Sequence, residues 1–140
     1  MYLVDTDTIS EVRKREKANP GVLAFFRQAT SNDDPLYLSV VTVGELRRGV
    51  EIIRHRGDGL QADELERWLK IVLDEYTDNI LSIDAETAQT WGRLRVPHPE
   101  NPLDKQIAAT ALINDLTLVT RNVKHFEGLG MRLVNPFHDT

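Results

Sequence analysis

Short apolar runs along this chain alternate with longer segments in which apolar residues recur at helical spacing. Tyr2-Leu3-Val4 stops at Asp5-Thr6-Asp7, which predicts a buried strand followed by polar residues able to cap a helix over Thr8 to Lys14. Pro20 after Asn19 suits the first position of a second helix, whose apolar residues Val22, Leu23, Phe25 and Phe26 carry it to about Thr30. Beyond a loop at Ser31 to Pro35, Leu36 to Val41 is predicted as a second buried strand, and from Thr42 the spacing turns helical through Leu46, Val50 and Ile53. Gly57-Asp58-Gly59 ends that helix, and Leu65, Trp68, Leu69 and Val72 mark an amphipathic one after it.

Ile80 to Ile83 is a third predicted strand, and Asp84 caps a helix reaching Arg95. Val96 to Pro102 is rich in proline and is predicted as a loop. Pro102 opens a helix with Ile107, Ala108, Ala111 and Leu112 at its apolar positions, Leu116 to Thr120 forms the clearest strand, and Met131 to Val134 a last one. Strands that are apolar throughout and alternate with helices imply an α/β fold: a mostly parallel central sheet of about four or five strands, with helices on both faces.

A chain of 140 residues is the size of one domain, so a single unit over residues 1–140 is expected. The absence of cysteine excludes disulfides, thiolate nucleophiles and cysteine-held zinc. Asp5 and Asp7 lie where a secretory signal would carry basic and then apolar residues, and no apolar run approaches the roughly 20 residues of a membrane span. A cytoplasmic protein without membrane association is expected. The net charge of -5 argues against nucleic-acid binding by a broad basic face. It leaves room for a nuclease, because a site built from carboxylates is itself acidic until cations reverse its local sign.

Asp5 follows the first strand and Asn122 the strand ending at Thr120, so both should project from the carboxyl edge of the sheet, where ligand sites of such folds form. Asp104 shares a helical stripe with Ile107, Ala108 and Ala111, and Glu45 borders the face marked by Leu46, Gly49 and Ile53. Carboxylates on apolar stripes need a partner. Three of them together would repel one another and raise their own pKa values, so the set makes physical sense chiefly as a cage for a hard cation, magnesium or manganese. Capping of helices is the competing role for Asp5, Asp104 and Asn122, but it leaves unexplained the coincidence of Glu45 and Asp104 on apolar stripes. Asp7 and Glu11 are read as first-helix acids favoured by the helix dipole, with Asp7 able to join a metal shell through water. The scattered histidines His55, His98, His125 and His138 are given no catalytic part, and Trp68 and Trp91 are assigned to packing. Arg47, Arg48, Arg93, Arg95, Lys105, Arg121 and Lys124 are candidates for holding phosphates.

Val4-Asp5-Thr6 with Ile9-Ser10-Glu11, Val43 to Gly49 around Glu45, Pro102-Leu103-Asp104 with Ile107 to Ala111, and Leu118 to Asn122 with His125-Phe126 together resemble the PIN-domain ribonucleases. The likeness spans almost the whole chain and is strongest to the VapC toxins of toxin–antitoxin pairs, including their FitB-like branch. It implies a PIN-like three-layer fold and a magnesium- or manganese-dependent endoribonuclease that hydrolyses RNA with metal-activated water. It further implies a homodimer silenced by a VapB-like antitoxin. Carried over by position, Asp5, Glu45 and Asp104 are the metal-site acids, with Thr120 and Asn122 contributing a hydroxyl and an amide. Many relatives place a fourth acid where Asn122 stands.

Three other functions compete. Asp5-Thr6-Asp7-Thr8-Ile9 resembles the nucleophile loop of haloacid-dehalogenase-like phosphatases, with Asp5 attacking phosphorus, but no later acidic pair follows near Leu116 to Asn122. A receiver would need an acceptor Asp where Ser39 or Ser82 stands. A catalytically inactive PIN fold serving as a binding module is the third.

Overall fold

Leu3 and Val4 fall on opposite faces of a sheet, and that alternation divides the core in two. In the computed structural model, which describes residues 1–138, strand β1 (Tyr2–Val4) lies at the middle of five. The others are β2 (Leu36–Ser39), β3 (Ile80–Leu81), β4 (Thr117–Val119) and β5 (Leu133–Val134). The order is β3-β2-β1-β4-β5, and every pairing is parallel, as strands apolar on both faces predict. The last two positions of the expected domain lie outside the described residues.

Seven helices join or follow these strands among the described residues: α1 (Thr6–Val12), α2 (Pro20–Ser31), α3 (Val40–His55), α4 (Gly59–Glu75), α5 (Ala85–Leu94), α6 (Pro102–Ile113) and α7 (Val123–Phe126). On one face Leu3 and Leu118 pack with Ile107, Ala108 and Ala111 of α6 and Phe126 of α7. On the other, Val4 and Leu38 meet Ile9 of α1, Leu46 and Val50 of α3, and Leu69 and Val72 of α4. Each of the Val, Leu, Ile and Phe side chains among them contributes about 1.5–3 kcal/mol by leaving water. The small residues Ala108, Ala109 and Ala111 are all fully buried, so α6 can lie close against its neighbours.

Several boundaries differ from those expected, each for a local reason. The second strand ends at Ser39, before Val40 and Val41, because the Ser39 hydroxyl accepts from the backbone N–H of Val41 at 3.1 Å and starts α3 there. The first helix begins at Thr6, where Asp5 Oδ1 accepts from the Thr6 N–H at 2.8 Å, and it ends at Val12. The third strand has only Ile80 and Leu81, although Asp84 caps α5 as expected, accepting from both the N–H and the hydroxyl of Thr87 at 2.8 Å. Asn122 occupies the position before α7 but its side chain makes no capping bond.

The chain runs from β1 outward through β2 to β3, then places β4 and β5 on the opposite side of β1. The order therefore reverses between β1 and β4, the point at which a crevice opens beyond the carboxyl ends of a parallel sheet. Asp5 and Thr120 are the first residues past those two strands. No helix of the described residues is long and apolar enough to cross a membrane.

Candidate metal centre

Parallel pairing of β1 and β4 delivers Asp5 and Thr120 side by side: the N–H of Asp5 donates to Val119 O at 2.9 Å, and the Thr120 hydroxyl donates to Asp5 Oδ2 at 2.7 Å. Both residues are buried, Asp5 at 4% exposure and Thr120 at 0%. The same hydroxyl oxygen accepts from the Asn122 N–H at 3.1 Å, which fixes its direction. Thr120 thus orients the carboxylate, while Asn122 contributes through its backbone and keeps an exposed side chain.

Asp7, one step into α1, turns toward the same point. Its Oδ2 accepts from the Arg121 N–H at 3.1 Å and lies 3.5 Å from the Thr120 hydroxyl, and its Oδ1 accepts from the Thr8 hydroxyl at 2.9 Å. Burial pushes the Asp5 carboxyl from 3.8 up to about 7, Asp7 adds repulsion, and Asp104 adds a smaller amount; the bonds from Thr120 and Thr6 pull the other way. Burial likewise raises Asp7. Among the described residues neither acid has a basic side chain within ion-pair distance.

The other expected acids stand at the edges of this pair. Glu45 Oε1 accepts from the Thr6 hydroxyl at 2.6 Å, and that hydroxyl is 3.1 Å from Thr42 Oγ1, so Glu45 reaches the centre through the residue next to Asp5. Asp104 Oδ2 lies 2.7 Å from Nδ1 of His125. No three His, Asp or Glu side chains of the described residues are close enough to share one cation, so the cage of Asp5, Glu45 and Asp104 expected from repulsion is looser than a preformed set of ligands. Magnesium fits such a site, because it keeps several waters and takes one or two carboxylates directly. An all-oxygen donor set with uncompensated charge suits that ion or manganese.

One of these participants escaped the sequence: His125 was assigned nothing, yet it is the partner of Asp104, and its spacing of 21 residues carries no motif. Asp7 was read first as a helix-dipole acid and second as able to join a metal shell through water; its bond to Arg121, which turns it toward Asp5, crosses 114 residues. Glu11, by contrast, pairs with Lys14 at 2.8 Å and accepts from the Asn19 N–H at 2.9 Å, away from the centre.

The chain matches the family model of the PIN domain over residues 2–128, and it belongs to the PIN-domain family. Toxin FitB of Neisseria gonorrhoeae is 33% identical, with 99% of this chain and 100% of that protein covered. A VapC ribonuclease of Sinorhizobium fredii is 29% identical, with 98% of each covered. The crystal structure of FitAcB from Neisseria gonorrhoeae superposes with a TM-score of 0.83 at 32% identity, covering 97% of this chain and 98% of that one.

Proposed function

We propose that this protein is a divalent-metal-dependent endoribonuclease acting as the toxin of a toxin–antitoxin pair, working in the cytoplasm as a homodimer held inactive by a VapB-like antitoxin. The observation that carries the chemistry is the buried Asp5 carboxyl at the switch point, its pKa raised by desolvation and by Asp7, with no basic side chain within ion-pair distance among the described residues. Full-length similarity to a protein named a VapC ribonuclease and to one named a toxin supports the biological role.

Asp5, Glu45 and Asp104 would hold magnesium or manganese, with Asp7 beside Asp5. The chemistry such an ion would supply when bound is polarisation of a phosphodiester and a lowered pKa for water at the site. The chain's own residues prepare that site. Thr120 and the Thr6 N–H hold both oxygens of Asp5, Thr6 directs Glu45, and His125 fixes Asp104. Asn122 in place of a further acid lowers the negative charge available for a second ion.

The experiment is cleavage of RNA by purified protein with magnesium or manganese and with EDTA. Cutting that needs the metal and disappears in Asp5→Asn and Asp104→Asn, with both variants folded, supports the proposal. Full activity in EDTA or in Asp5→Asn refutes it.

A further inference from the structure

Three of the seven basic side chains flanking the centre in sequence are engaged elsewhere. Arg47 pairs with Glu51 and Glu66, Arg95 lies over the Trp91 ring, and Arg121 lies over Phe137. Arg93 and Lys124 have no carboxylate within ion-pair distance among the described residues; Arg93 bonds to the Thr90 hydroxyl at 3.3 Å. Both line a cavity of about 400 Å³ between the loop before α6 and the segment after β4. His125 is in its wall, so one side chain separates the cavity from Asp104.

Lys105 lines it as well. That residue is 4% exposed, and its Nζ donates to the carbonyls of His98 and Glu100, the latter at 2.6 Å. Two carbonyls take two of the three protons of an ammonium but bring no negative charge. A buried cation without a counter-charge is costly, and an anion in the cavity would offset it. Arg93, Lys105 and Lys124 face only Glu100 and Glu127 as acids in this wall, so the sign is reversed locally in a chain of net charge -5. The volume lies within the roughly 300–1,000 Å³ of small-ligand sites.

We propose that this cavity seats one nucleotide of the RNA strand beside the scissile position, its phosphate held by Arg93 and Lys124 and its ribose and base resting on Leu94 and Leu129. Lys105 is a positioning residue: by holding two carbonyls of the loop it keeps the cavity open and its field positive. The inference rests on the ribonuclease proposal and adds the place where substrate is gripped.

The test uses a fluorescein-labelled single-stranded RNA of about 12 nucleotides. Binding is followed by anisotropy in EDTA over a salt series, and cleavage is then measured with magnesium. Arg93 and Lys124 are exposed, so Arg93→Ala with Lys124→Ala should fold; Lys105→Met is the companion variant. Expected for the double variant are about tenfold weaker binding, a salt slope reduced by about 0.7, as for one phosphate contact on a single strand, and a loss of cleavage that falls on KM rather than kcat. Unchanged affinity and slope overturn the inference even if the wild type cuts RNA. Full displacement of the RNA by about 1 mM inorganic phosphate also overturns it, since millimolar competition marks a weak general anion site. RNA binding that depends on Arg93 and Lys124 but is never followed by metal-dependent cutting supports the cavity and refutes the nuclease proposal.

Discussion

Nδ1 of His125 and Oδ2 of Asp104 stand 2.7 Å apart, joining α7 to the first turn of α6. A histidine that fixes the direction of a ligating carboxylate is worth about 10–100-fold in metal affinity or activity when removed. His125→Ala is therefore expected to lose about tenfold in kcat and to need more magnesium, while His125→Asn, which keeps an amide donor near the Nδ1 position, recovers part of it. Initial rates over a magnesium titration read this directly. Equal rates for His125→Ala and the wild type would reduce the pair to a surface contact.

Asp5 should make the metal-free protein sensitive to pH. Its folded-state carboxyl titrates at about 7 against an ordinary 3.8, so the folded protein holds the proton more tightly than the unfolded chain. That contribution to stability is complete below about pH 4 and is lost as the pH rises toward about 7, at about 1.4 kcal/mol per unit and a few kcal/mol in all. Urea unfolding in EDTA should show this decline in the wild type and a flatter dependence in Asp5→Asn, which becomes the more stable of the two at neutral pH. A less stable Asp5→Asn at neutral pH would mean that capping Thr6 is the carboxylate's main role.

Thr120→Val removes a hydroxyl from a fully buried position without changing its shape. Asp5 then loses a bond that lowers its pKa, so the acidic limb of the pH–rate profile is expected to move upward, with a stability cost of about 1–2 kcal/mol. An unmoved limb would detach Thr120 from the chemistry.

Glu45→Gln keeps an acceptor for the Thr6 hydroxyl but removes the charge. Its melting temperature should match the wild type within about 2 °C, since the neutral bond is preserved, while the manganese concentration giving half-maximal rate rises. Isothermal titration with manganese measures the second effect. Unchanged manganese affinity would leave Glu45 with a structural role through Thr6.

The parts of the fold that depend on local pattern were legible in the residues. Leu3-Val4 and Leu118-Val119 read as buried strands because both faces of the sheet are covered, and the position of Asp5 beyond the first followed; Thr120, read as the end of its strand, is the first residue past it. Val40 and Val41 misled because β-branched residues favour strands, whereas the Ser39 hydroxyl bonds to a backbone N–H and starts a helix there. In the candidate centre, Asp5 stood out as the acid following β1, Asp104 as a charge on an apolar stripe and Glu45 as one bordering such a face. The partners of those charges did not. His125 against Asp104, Asp7 against Arg121, and Thr6 against Glu45 are contacts between segments distant in the chain, decided by how α1, α3 and α6 pack and not by spacing within any one of them.

A crystal soaked in manganese and measured at the metal's absorption edge tests the chemistry most directly. Ligation predicts an anomalous peak within about 2.5 Å of an Asp5 carboxylate oxygen, on the Asp104 side, that disappears in Asp5→Asn. Well-ordered crystals with Asp5 still bonded to Thr120 and no peak beside it at saturating manganese would contradict a metal-dependent nuclease.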